Sequence, residues 1–316
     1  MISMRYHAIS IAAVFLALAV GVVLGSAGVS DRLLSAVSTQ ADDLEGQVQT
    51  LRAERDDLAA AQRASDEFAQ RVGPAAVRGQ LQDRTVTLVT SGADAADREA
   101  VLQLLAQAGA TATGEVALTP AVGDPARADQ LRELTSQLLP TGAQLPAASD
   151  TGSLLGGLLG GVLLTPGGEQ PGQQTTTAPI NTEQADAVLA GLAAAGFVGP
   201  GPRPQPGDAV LVLTGGALEG IDGGDAAAVL ARFAGQLDRA GGGAVLAGRA
   251  GSAEATGAVG VARAEPDIVE RVSTVDDVHT GAGRVSAVLA VREQLDGRAG
   301  RYGTASSASD GSAPAA

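Results

Sequence analysis

The longest apolar run in the chain lies near its start. From Ala8 to Val29, about 22 residues carry no charge. A helix of this length spans about 33 Å, enough for a hydrocarbon core of about 30 Å. The run therefore predicts a transmembrane helix over residues 8–29, although the small residues Gly25-Ser26-Ala27 leave a cleaved leader as the alternative. Arg5 lies before the apolar run, and no acidic residue precedes the run. This charge distribution predicts that residues 1–7 are cytoplasmic and that the chain after the helix is extracytoplasmic.

A heptad pattern follows the apolar run, between residues 33 and 72. Val37, Leu44, Leu51, Leu58 and Val72 lie in one row of positions seven residues apart, in which Ser65 is the polar exception, and charged residues lie between them. This spacing predicts a helical coiled-coil stalk that self-associates, with a parallel homodimer as the simplest assembly. A single amphipathic helix packed on its own globular domain is the alternative. We expect the helix to end at Gly73-Pro74, because proline disfavours helical geometry in the residue before it.

Short β-rich runs alternate with helical patterns over residues 84–303. Strands are predicted at 85–91, 110–119, 208–216, 242–251 and 258–264, and helices at 97–109, 183–197, 225–241 and 283–297. Strands separated by helices favour parallel pairing, since parallel strands need a crossover between them. The pattern therefore predicts one α/β domain with a mostly parallel sheet.

Three further segments differ from this alternation. Residues Leu154–Leu164, with the sequence LLGGLLGGVLL, are apolar but too short to cross a membrane. They predict a buried core helix or loop, with contact to a membrane surface as the alternative. By composition, residues 165–181 are a flexible loop and residues 304–316 a disordered tail.

Charge and composition narrow the function. The net charge of −14 argues against a nucleic-acid partner, because phosphate binding requires clustered basic residues. The absence of cysteine excludes disulfides, iron–sulfur clusters and thiolate zinc sites. The chain has no G-x-S-x-G or G-x-x-x-x-G-K-[ST] motif, and the glycines of GGALEG are spaced wrongly for a dinucleotide loop. We therefore do not expect an enzyme.

The most polar cluster is STVDDVHTGAGR, residues 273–284. Asp276, Asp277 and His279 could bring two carboxylates and an imidazole together as ligands for a divalent metal. The alternative is a strand end followed by a helix cap at Thr280. A second arrangement, Met1, Met4 and His7 at every third residue, offers thioether and imidazole ligands for copper, but these residues also lie where any anchor begins.

Several stretches together resemble one known family. They are the opening MISMRYHAISIAAVFLALAVGVVLGSAGVSDRLL, the internal VLTGGAL and LAGRAGS, and the closing STVDDVHTGAGRVSAVLAVREQLDGRAGRYG. This set is similar to the mycobacterial copper transport protein B family over residues 1–303. The resemblance implies an actinobacterial envelope protein that acts in copper transport or homeostasis, and copper as its cargo. The residues by themselves equally allow a structural or interaction protein that presents an α/β domain on a stalk.

Overall fold

The computed structural model describes residues 4–165 and 180–314, and for residues 26–36 it describes the backbone alone. The chain divides into two compact units, Met1–Ala64 and Ser65–Ala316. Of the predicted flexible loop 165–181, residues 166–179 lie outside the described residues. Residues 1–3 and 315–316, at the ends of the predicted cytoplasmic segment and tail, also lie outside them.

Helix α1, Met4–Val77, forms the described part of the first unit and continues into the second. Its first part, Met4–Gly25, has a mean hydropathy of 2.6 in its most apolar window. This segment is the one helix within the described chain that is long and apolar enough to cross a membrane. Farther along, the heptad side chains are exposed, with Leu51 at 64% and Leu58 at 71%.

The prediction that this helix ends at Gly73-Pro74 is wrong, because it continues to Val77 with Pro74 inside it. Proline disfavours the helix partly through a clash between its Cδ and the Cβ of the preceding residue. Gly73 has no Cβ, which removes that part of the clash. A carbon added at Gly73 would also lie 2.7 Å from Val285 Cγ2, so the glycine lets the last turns approach a neighbouring helix closely.

The second unit contains a parallel sheet, as the alternating pattern predicts. Among the described residues six strands pair in the order β2-β1-β3-β4-β5-β6, all parallel. The strands are β1 Thr85–Ser91, β2 Thr111–Leu118, β3 Ala209–Thr214, β4 Ala244–Ala247, β5 Ser273–Val275 and β6 Arg301–Tyr302. The central strand β3 is buried along its whole length, which is typical of a sheet covered on both faces.

Helices cover both faces of this sheet. They are α2 Ala95–Gln107, α3 Ala128–Gln137, α4 Thr151–Leu163, α5 Thr182–Ala194, α6 Gly223–Ala240, α7 Ala258–Ala264, α8 Pro266–Val269 and α9 Gly281–Leu295. Two short 3₁₀ turns, Pro120–Gly123 and Pro125–Arg127, follow β2. Side chains alternate along β3: Val210 and Val212 pack in the core beneath α3 to α8, whereas Leu211 and Leu213 pack beneath α2 and α9.

Helix α4 contains the glycine-rich run and is buried, which confirms the prediction of a core helix there. Three of its glycines, Gly152, Gly156 and Gly160, lie against α6. A carbon added at Gly156 would lie 2.8 Å from Phe233 O, and one added at Gly160 would lie 2.5 Å from Ala240 Cβ. The absence of side chains at these positions lets the two helix backbones approach each other.

One predicted strand is wrong. Residues 258–264 form helix α7 instead, with the Val261 N–H donating to Gly257 O. A short apolar run of this kind fits a buried strand or a buried helix equally well. The buried residues Ala258, Val259 and Ala262 lie on one helical face, and this packing decides the conformation.

The C-terminal residues also differ from the predicted disordered tail, since residues 304–314 fold back onto the sheet edge at β6. The Gly303 N–H donates to Gly311 O at 2.8 Å. Ala313 is buried and its N–H donates to Ser286 Oγ at 3.3 Å. Composition could not predict this, because the contacts are made by backbone groups and small side chains.

Candidate functional site

The carboxyl ends of the strands bring most of the chemistry-bearing side chains together. Strand β1 lies between β2 and β3, and the helices that follow β1 and β3 cover opposite faces of the sheet. Ligands of open α/β sheets bind in the crevice at such a change of direction. In this protein the crevice is an open cleft of about 350 Å³.

The cleft is formed by the loops after β1, β2 and β3 and by the first turns of α6; we refer to it as the switch-point cleft. The apolar part of its lining includes Val122, Leu218, Ala226 and Leu230. Gly123 brings the loop after β2 against α6, since a carbon added there would lie 2.6 Å from Ala226 Cβ. The walls are therefore fixed by close backbone packing.

Three carboxylates line the same cleft. Asp124 Oδ1 accepts a hydrogen bond from the Ala126 N–H at 2.9 Å. Glu219 and Asp222 are exposed side chains in the loop between β3 and α6. Asp222 occupies the N-cap position of α6 without making a side-chain cap bond. The cleft therefore combines apolar walls with negative charge.

A network of ion pairs lies beside the cleft and joins α2 to α9. Arg284 contacts Asp97 Oδ1 at 2.7 Å and also donates to the carbonyl oxygen of His279. Arg249 lies 3.1 Å from both Asp94 and Asp97. The N–H groups of Ala96 and Asp97, together with Arg249, lower the pKa of Asp94. In this network the acidic and basic side chains pair with one another. The ion pairs hold the first turns of α2 and α9 together.

Asp276, the first of the three predicted metal ligands, forms an ion pair with Arg263 at 2.6 Å, and both side chains are only 3% exposed. Its other oxygen accepts hydrogen bonds from the N–H groups of Thr304 and Ala305. Arg263 also donates to Tyr302 O at 2.7 Å. The carboxylate is thereby engaged in joining α7, β5 and the C-terminal segment.

Asp277 and His279 follow Asp276 in the turn before α9. Asp277 Oδ2 accepts from the Thr280 hydroxyl at 3.4 Å, and its buried Oδ1 has no partner among the described residues. Burial and the nearby Asp276 raise the pKa of Asp277. His279 Nδ1 accepts from the Ala250 N–H at 3.3 Å.

The strand end and helix cap predicted for this stretch are confirmed: β5 ends at Val275, and Thr280 Oγ accepts from the Gly283 N–H at 2.9 Å. No group of three or more His, Asp or Glu side chains in the part of the chain described by the structure is arranged to hold a metal ion. Of the other candidate copper ligands, Met4 and His7 are exposed on α1, and Met1 lies outside the described residues.

Sequence reasoning did not find the switch-point cleft. The glycines of the loop between β3 and α6 do not fit a dinucleotide motif, and no local pattern marks the acidic residues of this loop as part of a cleft. The ion pair between Arg263 and Asp276 was also missed, because nothing in the spacing of these residues indicates that they meet. The order of the strands would have pointed to the cleft, but that order is not visible in the sequence.

Fold and site together define a doubly wound α/β domain in a chain that also contains a helix apolar enough to cross a membrane. Comparison with known families identifies the family. The model of the family described as "Copper transport outer membrane protein, MctB" matches residues 1–312, and the chain belongs to this family.

Proteins named "Copper transporter MctB" are similar along nearly the whole chain. Those of Mycobacterium bovis and Mycobacterium tuberculosis are 41% identical over 310 residues, which cover 96% of this chain and 96% of each relative. That of Mycobacterium leprae is 37% identical over 312 residues, with the same coverage.

Proposed function

We propose that the chain is a membrane-anchored envelope protein that takes part in copper transport or copper homeostasis. The observation that carries this proposal is the family match over residues 1–312, with relatives named copper transporters at 41% identity. Transport rather than catalysis is the activity that this name supports. Copper is the cargo in this proposal and not a resident cofactor.

In this proposal the N-terminal helix stays in the membrane for the life of the protein. Its apolar segment Met4–Gly25 has the length for one crossing. Arg5 lies at its start, and positively charged flanks favour the cytoplasmic side. The N-terminus would therefore be cytoplasmic, and the α/β domain would lie on the other side of the membrane.

The heptad part of α1 supports self-association. Leu44, Leu51 and Leu58 expose more than half of their side-chain surface. Burying an aliphatic side chain of this size contributes roughly 1.5–3 kcal/mol, so a row of them is stabilised by a second copy of the helix. Cysteine placed at Val37, Leu44 or Leu51 would crosslink copies in the membrane if the helices associate in parallel.

The ligand chemistry supports a role for the assembly rather than for a copper cluster inside the domain. Cu(I) prefers thiolate and thioether ligands. The chain has no cysteine, and its two methionines are Met1 and Met4. The second unit therefore offers Cu(I) no soft side chain, and copper handling would depend on the anchored oligomer or on a partner.

The metal site at Asp276, Asp277 and His279 stays a prediction. Because Arg263 already pairs with Asp276, His279 is the position that tests it with the least damage to the fold. Titration of Cu(II) into the full-length protein and into His279→Ala would decide it. Equal binding by both proteins would contradict this site.

The role in copper handling is tested by deleting the gene and measuring cell copper. We expect the deletion to change copper content and the full-length gene to restore it. A form that lacks residues 1–29 is expected to fail to restore it, although its domain is unaltered. Unchanged copper in the deletion strain would contradict the copper role, and full rescue by the shortened form would contradict the need for the anchor.

Two observations favour a second function: the heptad side chains of α1 are exposed, and the second unit has no thiolate or thioether ligand for Cu(I). In this alternative the chain is a structural or interaction protein that presents its α/β domain to envelope partners without moving copper. Normal copper content combined with an envelope defect in the deletion strain would favour it.

A further inference from the structure

We propose that the switch-point cleft binds a small organic cation, with an alkyl body in the cleft and an ammonium group at its carboxylates. The cleft has a volume of about 350 Å³, within the range of small-molecule sites. Its position at the carboxyl ends of β1, β2 and β3 is where α/β sheets of this kind bind ligands. This inference does not depend on the copper role.

The walls of the cleft suit an aliphatic body. Val122 and Leu230 are buried side chains of its lining, and the half-buried Leu218 and Ala226 add to the apolar surface. The lining, which lies within the described chain, includes no aromatic side chain. A flat ring would therefore find no stacking partner, whereas an alkyl chain would find ordinary van der Waals contacts.

The charge of the lining selects the sign of the ligand. Asp124, Glu219 and Asp222 line the cleft, and no Lys, Arg or His of the described chain does. Glu219 and Asp222 have neither an ion-pair partner nor a hydrogen-bond donor for their side chains within the described residues. By contrast, Asp94, which also lies at the carboxyl end of the strands, caps α2 and pairs with Arg249. The cleft thus holds negative charge that the protein does not itself neutralise.

The same charges exclude the ligand that this position most often binds. Helix N-termini at a switch point usually hold phosphate groups, because their free N–H groups point at the ligand. Here Asp222 is the N-cap of α6 and Asp225 lies in its first turn, so a phosphate would meet carboxylates. An ammonium group meets attraction at the same place.

The test is calorimetric titration of 1,5-diaminopentane into the full-length protein in phosphatidylcholine nanodiscs. Glutarate, a five-carbon chain of opposite charge, is the matched ligand control. The variant Glu219→Gln/Asp222→Asn removes the free carboxylates. The variant Asp267→Asn/Glu270→Gln removes two exposed charges at α8 and has the same net charge, so it serves as the matched protein control.

We expect saturable binding of the diamine that weakens about tenfold in the cleft variant and less than about twofold in the α8 variant. The affinity is also expected to fall when salt is raised from about 20 to about 200 mM, because the carboxylates of Glu219 and Asp222 are exposed and salt screens their attraction for the ammonium group. Circular dichroism of both variants checks that they fold. Lack of saturable diamine binding, equal loss in both variants, or equally strong binding of glutarate would each overturn the proposal.

Discussion

The part of the chain that the structure describes contains two apolar helical segments with interspersed glycines, and they have opposite surroundings. The segment Met4–Gly25 of α1 is exposed along its length, whereas α4 is almost wholly buried. Carbons added at Gly152, Gly156 and Gly160 of α4 would meet backbone or side-chain atoms of α6, but a carbon added at Gly21 would meet nothing within 4 Å. Similar composition therefore does not imply similar surroundings.

Length is the property that separates the two segments. At 13 residues α4 spans about 20 Å, too little to cross a bilayer but enough to cross one face of the sheet. The 22 residues of Met4–Gly25 span about 33 Å and fit a membrane. The α4 glycines serve packing within a domain, whereas those of α1 leave a smooth apolar surface for lipid or another helix.

The largest expected effect is on the packing of α4. In Gly156→Leu the added Cβ would lie 2.8 Å from the carbonyl oxygen of Phe233. Because this oxygen belongs to the backbone of α6, moving it away costs more free energy than moving the end of a side chain. We expect the free energy of unfolding of the domain to fall by about 3 kcal/mol or more in denaturant titrations. The matched variant Gly21→Leu in α1 should leave domain unfolding unchanged; an equal loss in both would contradict the comparison.

A charge placed in the N-terminal segment should change the free energy of membrane insertion by an amount comparable to the loss of domain stability in Gly156→Leu. Leu16→Arg replaces an exposed leucine near the middle of the span. Arginine at the centre of a spanning helix costs roughly 3 kcal/mol relative to leucine. We expect the protein to shift from the membrane to the soluble fraction on fractionation, with Leu16→Ala retained as the control. Unchanged retention of Leu16→Arg would mean that this segment is not the anchor.

A smaller effect concerns α6, the helix on which α4 packs. Asp238 is 8% exposed, and burial raises its pKa to about 6, opposed by Arg271 and by the N–H of Ala244. The folded state therefore holds this proton more tightly than the unfolded chain. Its stabilising contribution is full below about pH 4 and is lost as the pH rises through 6, by on the order of 2 kcal/mol.

This contribution is measured by comparing the pH dependence of unfolding in the wild type and in Asp238→Asn. The difference between the two should shift in favour of the variant from pH 4 to pH 7. The exposed Asp267→Asn is the control. A constant difference across this range would contradict the assigned protonation.

The smallest expected effect on domain stability comes from the heptad part of α1. Leu51→Ser changes a side chain that is 64% exposed, and such changes usually alter unfolding by less than about 0.5 kcal/mol. The same change should reduce crosslinking through Leu44→Cys, because it weakens the helix pair. Crosslinking that is unaffected would argue against association through this row.

The sequence predicts the elements of the domain better than their arrangement. The runs at β1 and β3 are β-branched and bounded by turn residues, and their local pattern suffices. Helix α7 could not be predicted, because a run of seven mostly apolar residues fits either period, and packing against the core decided between helix and strand. The turn before α9 was predicted by Thr280, whose hydroxyl caps the helix through a local bond.

The candidate site was predicted far less well, and the reason is distance along the chain. The cleft brings Val122 and Asp124 together with Glu219 and Asp222, about 100 residues away in sequence. Nothing near Asp276 in the sequence indicates a basic partner, yet Arg263 from α7 forms an ion pair with it. A local sequence pattern predicts hydrogen bonds between neighbouring residues. The cleft and the Arg263–Asp276 ion pair depend instead on the order of the strands in the sheet.

The central claim, that the N-terminal segment is a retained anchor, is tested most directly by the intact mass of the mature protein. The protein is purified from both the membrane fraction and the soluble fraction of its own cells, and the mass of each form is measured by mass spectrometry. We expect a mass that includes the whole N-terminal segment, with removal of at most the initiating methionine. A mature chain that begins near Gly28 and is recovered from the soluble fraction would contradict the account.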